Sequence, residues 1–102
     1  MSIGLDNAVQ CLRVSGDLTI DEVPDYLKQS EVLFSQLTVL RIDLSAVSRS
    51  DSAGLALLIR WMREASASGK DIIFEQMPAQ MLAMAAASGL DTILPLQAKH
   101  AL

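Results

Sequence analysis

Thr38-Val39-Leu40-Arg41-Ile42-Asp43-Leu44, then Ser45-Ala46-Val47-Ser48-Arg49-Ser50-Asp51, then Ser52-Ala53-Gly54-Leu55, is the stretch whose reading decides the fold. Its first seven residues are almost continuously apolar and partly β-branched, the pattern of a strand paired on both sides, and they predict the central strand of a sheet. The next seven are small and polar and read as a loop. A helix follows from Ser52 to about Ser68, and Gly69 stops it in the left-handed conformation.

Downstream, Asp71-Ile72-Ile73-Phe74-Glu75 reads as a short strand. Met77, Met81 and Met84 then recur at helical spacing on a third helix that ends at Gly89. Core filler is the default reading of such a methionine stripe, and an adaptable partner surface is the alternative. Ile93, Leu94 and Leu96 suggest an edge strand, where Pro95 is tolerated. Upstream, Ala8 to Val14 reads as a strand, with Ile3 to Leu5 pairing to it through an Asp6-Asn7 turn. A first helix carries Val23, Leu27, Ser30 and Phe34 on one stripe; Asp21 is preferred as its cap, with Pro24 in the first turn, over a Thr19–Glu22 capping box that would push Pro24 one turn deeper. Strands alternating with helices define an α/β domain with repeated right-handed crossovers, here a mixed sheet of about four or five strands with about three or four helices packed against it.

At 102 residues the chain has room for one domain, spanning residues 1–102. It is 51% apolar and only 4% aromatic, so aliphatic residues and methionine must build the core, and disorder is excluded. The mean hydropathy of +0.34 is high for so small a body and raises the question of an apolar partner surface. A membrane span does not explain it, because no run approaches the roughly 20 apolar residues required. The N-terminus has no signal-peptide pattern, which predicts a cytoplasmic location without direct membrane insertion. A net charge of −4 argues against nucleic acid as a partner.

His100 is the sole histidine and lies near the C-terminus, and Cys11 is the sole cysteine, reading as a small core residue. Ser-His and Cys-His nucleophile pairs and histidine-based metal sites are therefore not available, and no phosphate-cradling glycine loop is present. We expect no catalytic residue, no cofactor site and no metal site. Chemistry concentrates instead at the strand-to-helix junction. Asp51 and Ser52 can cap unpaired backbone N–H groups, and a phosphate on Ser52 would gain roughly 0.3–1 kcal/mol from the helix dipole. A plain capping role and a regulatory or contact role both fit. Asp43 is placed to bond loop N–H groups near Ser48 to Asp51, and Arg49 to pair with Asp51 or a partner carboxylate.

Along the second helix Leu55, Leu58, Ile59, Met62 and Ala65 form a sheet-facing stripe. Leu57 and Trp61 fall off it and, with Ala53, Arg60 and Glu64, make a second, mixed face beginning beside Ser52. Trp and Arg often anchor interfaces, which points to docking there; packing of Trp61 beneath the third helix or the tail is the alternative.

The residues Asp43-Leu44-Ser45, Ser48 and Asp51-Ser52-Ala53-Gly54-Leu55 resemble the signature of STAS domains, the sulfate-transporter and anti-sigma-factor-antagonist family. Ser15-Gly16-Asp17-Leu18 followed by Pro24 resembles the family's first strand-to-helix junction, so the likeness spans nearly the whole chain. It implies a non-enzymatic interaction module and two possible circuits. The arginine in Val47-Ser48-Arg49-Ser50-Asp51 and the run Gly54-Leu55-Ala56-Leu57-Leu58 are closer to the STAS subunit of Mla phospholipid ABC transporters, which docks on the ATPase subunit of a complex that also contains a permease and maintains outer-membrane lipid asymmetry. Such a subunit is peripheral to the inner membrane through its partners. The pair Ser52-Ala53 is closer to anti-sigma factor antagonists, in which a partner kinase phosphorylates the serine and switches binding off. The resemblance places the Ser48 to Gly54 loop at the contact or regulatory site, with Ser52 as the possible phosphorylation position, and the mixed helix face read above extends it to a partner-binding or regulatory set of Ser48, Arg49, Asp51, Ser52, Ala53, Gly54, Leu57, Arg60 and Trp61.

Overall fold

The computed structural model describes residues 2–6 and 11–96. In chain order its elements are β1 (Ser2–Asp6), β2 (Cys11–Leu18), α1 (Val23–Ser35), β3 (Val39–Ser50), α2 (Ser52–Ala67), β4 (Asp71–Glu75), α3 (Ala79–Ala87) and a 3₁₀ turn at Leu90–Thr92. The sheet order is β1-β2-β3-β4, with β1 antiparallel to β2 and the other pairs parallel. The expected mixed α/β sheet is thus present, with β3 in its interior. Residues 7–10, which include the expected β1–β2 turn and the first part of the expected strand, and His100 lie outside the described residues.

Each crossover advances one strand in the same direction, so crossovers of one hand place their helices on the same side of the sheet. Alternation along β3 shows the result: Leu40, Ile42 and Leu44 are fully buried, while Arg41 and Asp43 point the other way. On that polar face Arg13 lies 3.3 Å from Asp43 and 3.8 Å from Asp6, and Arg41 contacts Glu75 at 2.8 Å. Burial alone would raise the Asp43 carboxyl, but hydrogen bonds from Ser45 and Arg13 outweigh it and hold the group below the ordinary carboxylate range.

β3 is longer than the sequence suggests, because residues 45–50 continue the strand instead of forming a loop. β2 accompanies it throughout, with Ser15 opposite Ala46, Asp17 opposite Arg49 and Leu18 opposite Ser50. β4 ends at Glu75, opposite Asp43. Among the described residues the extension therefore has no strand on its other side, which fits its mostly polar sequence and explains why apolar patterning misses it. Two register shifts in β2, between Arg13 and Ser15 and between Gly16 and Asp17, accommodate the pairing, with Gly16 at φ 95°. The Tyr26 hydroxyl donates to the Ser15 carbonyl at 2.5 Å, and burial pushes its pKa up to about 12.

Two further expectations change. Asp21 does not cap α1; the Thr19 carbonyl accepts from the N–H groups of Glu22 and Val23 at 2.9 and 3.1 Å, so backbone does that work and Pro24 still falls in the first turn. Among the described residues the tail forms no regular edge strand. After the 3₁₀ turn, Leu96 makes a single bridge to Phe74, whose N–H donates to the Pro95 carbonyl at 2.9 Å.

The main correction concerns Trp61 and Leu57, which are interior residues at 0% and 2% exposure. α2 contacts α1, α3, β3 and β4, so it buries more of its circumference than a single sheet-facing stripe. Leu55, Leu58 and Ala65 are buried as expected, and Leu57 and Trp61 join them. The Trp61 indole N–H donates to the Ser30 hydroxyl at 3.0 Å, Ser30 in turn donates to the Leu27 carbonyl at 2.9 Å, and the Phe34 ring lies 5.6 Å away, tilted by 55°. Of the methionine stripe, Met81 is fully buried and Met77 and Met84 pack against the core from partly buried positions.

As Trp61 is the only tryptophan, intrinsic fluorescence reports on this site alone. The folded protein should emit at short wavelength and resist iodide quenching, and unfolding should red-shift it. Trp61→Ala should cost about 3–5 kcal/mol in urea titrations followed by circular dichroism.

Candidate partner-docking site

Where β2 and β3 end, α2 begins, and one carboxylate ties the three together. Asp51 has the extended backbone of a helix N-cap, and its Oδ1 accepts from the Ala53 N–H at 2.9 Å. Its Oδ2 accepts from the Ile20 N–H at 3.2 Å, in the loop that leads to α1. The Asp51 N–H donates to the Leu18 carbonyl at 3.2 Å. The capping role expected for Asp51 is present, and the same side chain also anchors the β2–α1 connection, a role local sequence could not reveal.

Gly54 makes the close approach possible. A Cβ there would lie 2.6 Å from the Leu18 carbonyl oxygen and 2.2 Å from the Ser50 hydroxyl. Ser50 is buried, and its carbonyl accepts from the Gln80 side chain at 3.1 Å, which brings the start of α3 to the same rim. Within this frame Ser52 occupies the first position of α2, exposed, with no hydrogen-bond partner for its hydroxyl among the described residues.

Of the other expected site residues, Ser48 and Arg49 are exposed on the end of β3, and Ala53 is half-buried behind Ser52. Arg49 pairs with Asp17 at 3.3 Å and not with Asp51, because the parallel register sets it opposite Asp17. Asp43 does not reach the Ser48–Asp51 segment either: its Oδ1 accepts from Ser45 N–H at 2.9 Å, since the strand carries residues 48–51 away from it. Arg60 is exposed and held by Glu64 at 2.7 Å. Trp61 supports the site from beneath and presents no contact surface of its own, whereas Leu57, almost fully buried, reaches the groove described next.

Between the start of α1 and the first three turns of α2 runs a groove of about 490 Å³, with Ile20, Leu27, Ala53, Ala56, Arg60 and Arg63 among its lining. Sequence reading missed Ile20 and Arg63. Ile20 is 69% exposed, an isolated apolar residue in a polar loop, and that loneliness was its only signal.

Among the described residues no group of three or more His, Cys, Asp or Glu side chains is placed to hold a metal ion. Burial pushes the Cys11 thiol pKa up, away from the thiolate that nucleophilic chemistry needs. No helix among the described residues is long and apolar enough to cross a membrane. The geometry is that of a rigid, partly charged rim beside an apolar groove.

A family model described as "Mlab, STAS domain" matches residues 1–96, and the chain belongs to this STAS domain family. No curated protein matches it. The fold is shared with a solved anti-sigma factor antagonist, SpoIIAA in its unphosphorylated form, at a TM-score of 0.71 and 19% identity over 96% of this chain and 90% of that one. At that identity the likeness speaks for the fold.

Gly54→Ala should destabilise the protein by roughly 1–3 kcal/mol net, the overlap with the Leu18 carbonyl outweighing the about 1 kcal/mol that alanine gains in helix propensity. Asp51→Ala should cost about 1–2 kcal/mol for the lost cap and loop anchor. Urea denaturation of both variants checks these values; an unchanged midpoint for Gly54→Ala would contradict the close approach.

Proposed function

We propose that this chain is a non-catalytic STAS subunit that docks on the cytoplasmic ATPase of an Mla-type ABC transporter moving phospholipids, and supports assembly of the ATPase with its permease. The description of the matching family, over nearly the full chain, is the observation that carries the reading. The site is compatible with it: Ser48, Arg49, Ser52 and Arg60 offer exposed polar groups on a backbone fixed by Asp51 and Gly54. Hydrolysis of ATP belongs to the partner. The subunit acts by binding one arrangement of the ATPase better than others, which raises the population of that arrangement.

A second reading, a phosphorylation-switched antagonist of an anti-sigma kinase, draws support from the exposed Ser52 beside Asp51 and from the fold shared with SpoIIAA. Both circuits use the same surface.

Ser52→Asp discriminates cleanly because a negative charge at the first turn of α2 favours the isolated fold, by about 0.3–1 kcal/mol. Its thermal midpoint should stay level or rise while co-purification with the transporter ATPase falls sharply, as the carboxylate would be desolvated in the contact. Wild-type recovery of the complex would count against the docking surface. Incubation of the wild-type chain with the candidate kinase and ATP, read by intact mass, separates the circuits: stoichiometric phosphate on Ser52 favours the antagonist, and none favours the transporter subunit.

A further inference from the structure

The groove between α1 and α2 has a direction. Ile20, Ala53 and Ala56 lie at the end beside Ser52, and Arg60 and Arg63 lie at the other. Ala53 to Arg63 is ten residues of helix, about 15 Å at the usual rise per residue. That length matches two to three turns of a helix, and a volume of about 490 Å³ admits several aliphatic side chains. No described element covers the groove, although Ile20 and Ala56 on its margin are exposed.

The two guanidinium groups differ. Arg60 is already neutralised by Glu64 at 2.7 Å, whereas Arg63 is exposed and has no ion-pair partner among the described residues. An occupant that filled the apolar part would gain further by bringing a carboxylate to Arg63. A purely apolar occupant would leave that cation uncompensated at the edge of a desolvated contact.

We propose that the groove receives an amphipathic segment of the partner, two to three helical turns long, whose apolar side chains lie against Ile20, Leu27 and Ala56 and whose Asp or Glu pairs with Arg63. This rests on the docking reading above and adds to it the recognition chemistry and a residue, Arg63, outside the Ser52 rim. The mode is helix-in-groove recognition, with one ion pair fixing the direction of the inserted segment.

The test is affinity of the full-length chain for the purified transporter ATPase, by calorimetry, with Ala56→Arg to fill the groove and Arg63→Glu to invert its charge. Both positions are exposed, so the variants should retain the wild-type thermal midpoint. Each should weaken binding at least tenfold, while Val32→Asp, at an exposed apolar residue outside the groove lining, should not. Arg63→Lys should retain binding and become linkable by a carbodiimide to the partner, with the joined peptide carrying the carboxylate within an apolar segment. If Ser52→Asp disrupts the complex but both groove variants bind as wild type, the rim reading stands and the groove proposal fails. If none of the three matters, both fail. If the isolated chain sediments as a dimer that Ala56→Arg dissociates, the occupant is a second copy and the proposal is overturned.

Discussion

The Asp51 carboxylate is the contact on which the rest of this molecule's working end depends. Its two oxygens hold the first turn of α2 and the loop entering α1, and its own N–H closes onto the end of β2. Gly54 lets α2 lie directly on the Leu18 carbonyl. The two helices therefore start side by side at a fixed spacing, which leaves Ser52 exposed at the rim and opens the groove beside it. The bonds of Asp51 to the Ala53 and Ile20 amides and to the Leu18 carbonyl converge where three elements meet. Function at such a rim asks for rigidity because every side chain ordered in advance is one whose entropy need not be lost on binding.

How far the sequence disclosed this depended on whether the deciding contact was local. Val39 to Leu44 as a central strand, Asp71 to Glu75 as a second, the stop at Gly69 and the cap at Asp51 are written in neighbouring residues and agree with the structure. The extension of β3 to Ser50 is not, because its polar residues are held by pairing with a bulged β2 thirty residues away. Trp61 was misplaced for a related reason. A helical wheel finds the face toward the sheet but not the faces toward neighbouring helices, and α2 has a neighbour on both sides. The clue was Ser30, a small hydroxyl in an otherwise apolar row of α1, which is the hydrogen-bond partner of the indole. Arg49 likewise found Asp17 through strand register and not through proximity in sequence.

The hydropathy that seemed excessive for 102 residues is absorbed largely by the core, to which this three-sided burial of α2 adds Leu57 and Trp61. Among the described residues the large hydrophobics left exposed are Ile20, at the groove beside the exposed Ala56, and Val32, Val39 and Ile93, scattered elsewhere. Scattered exposed residues carry little meaning, whereas apolar residues lining a groove that ends in Arg63, a cation with no ion-pair partner among the described residues, are what the docking proposal rests on. The polar sheet face, by contrast, satisfies much of its charge internally through Arg13, Asp43, Arg41 and Glu75, and offers less to a partner.

Differential hydrogen exchange of the chain, alone and bound to the transporter ATPase, tests the central claim most directly. The account predicts slowed exchange in the β2–α1 loop and the first turns of α1 and α2, including the Ile20 and Ala53 amides, with β1 and β2 residues 11–15 unchanged. Protection confined to β1 and β2, or no protection at the start of α2 in a complex that demonstrably forms, would contradict it.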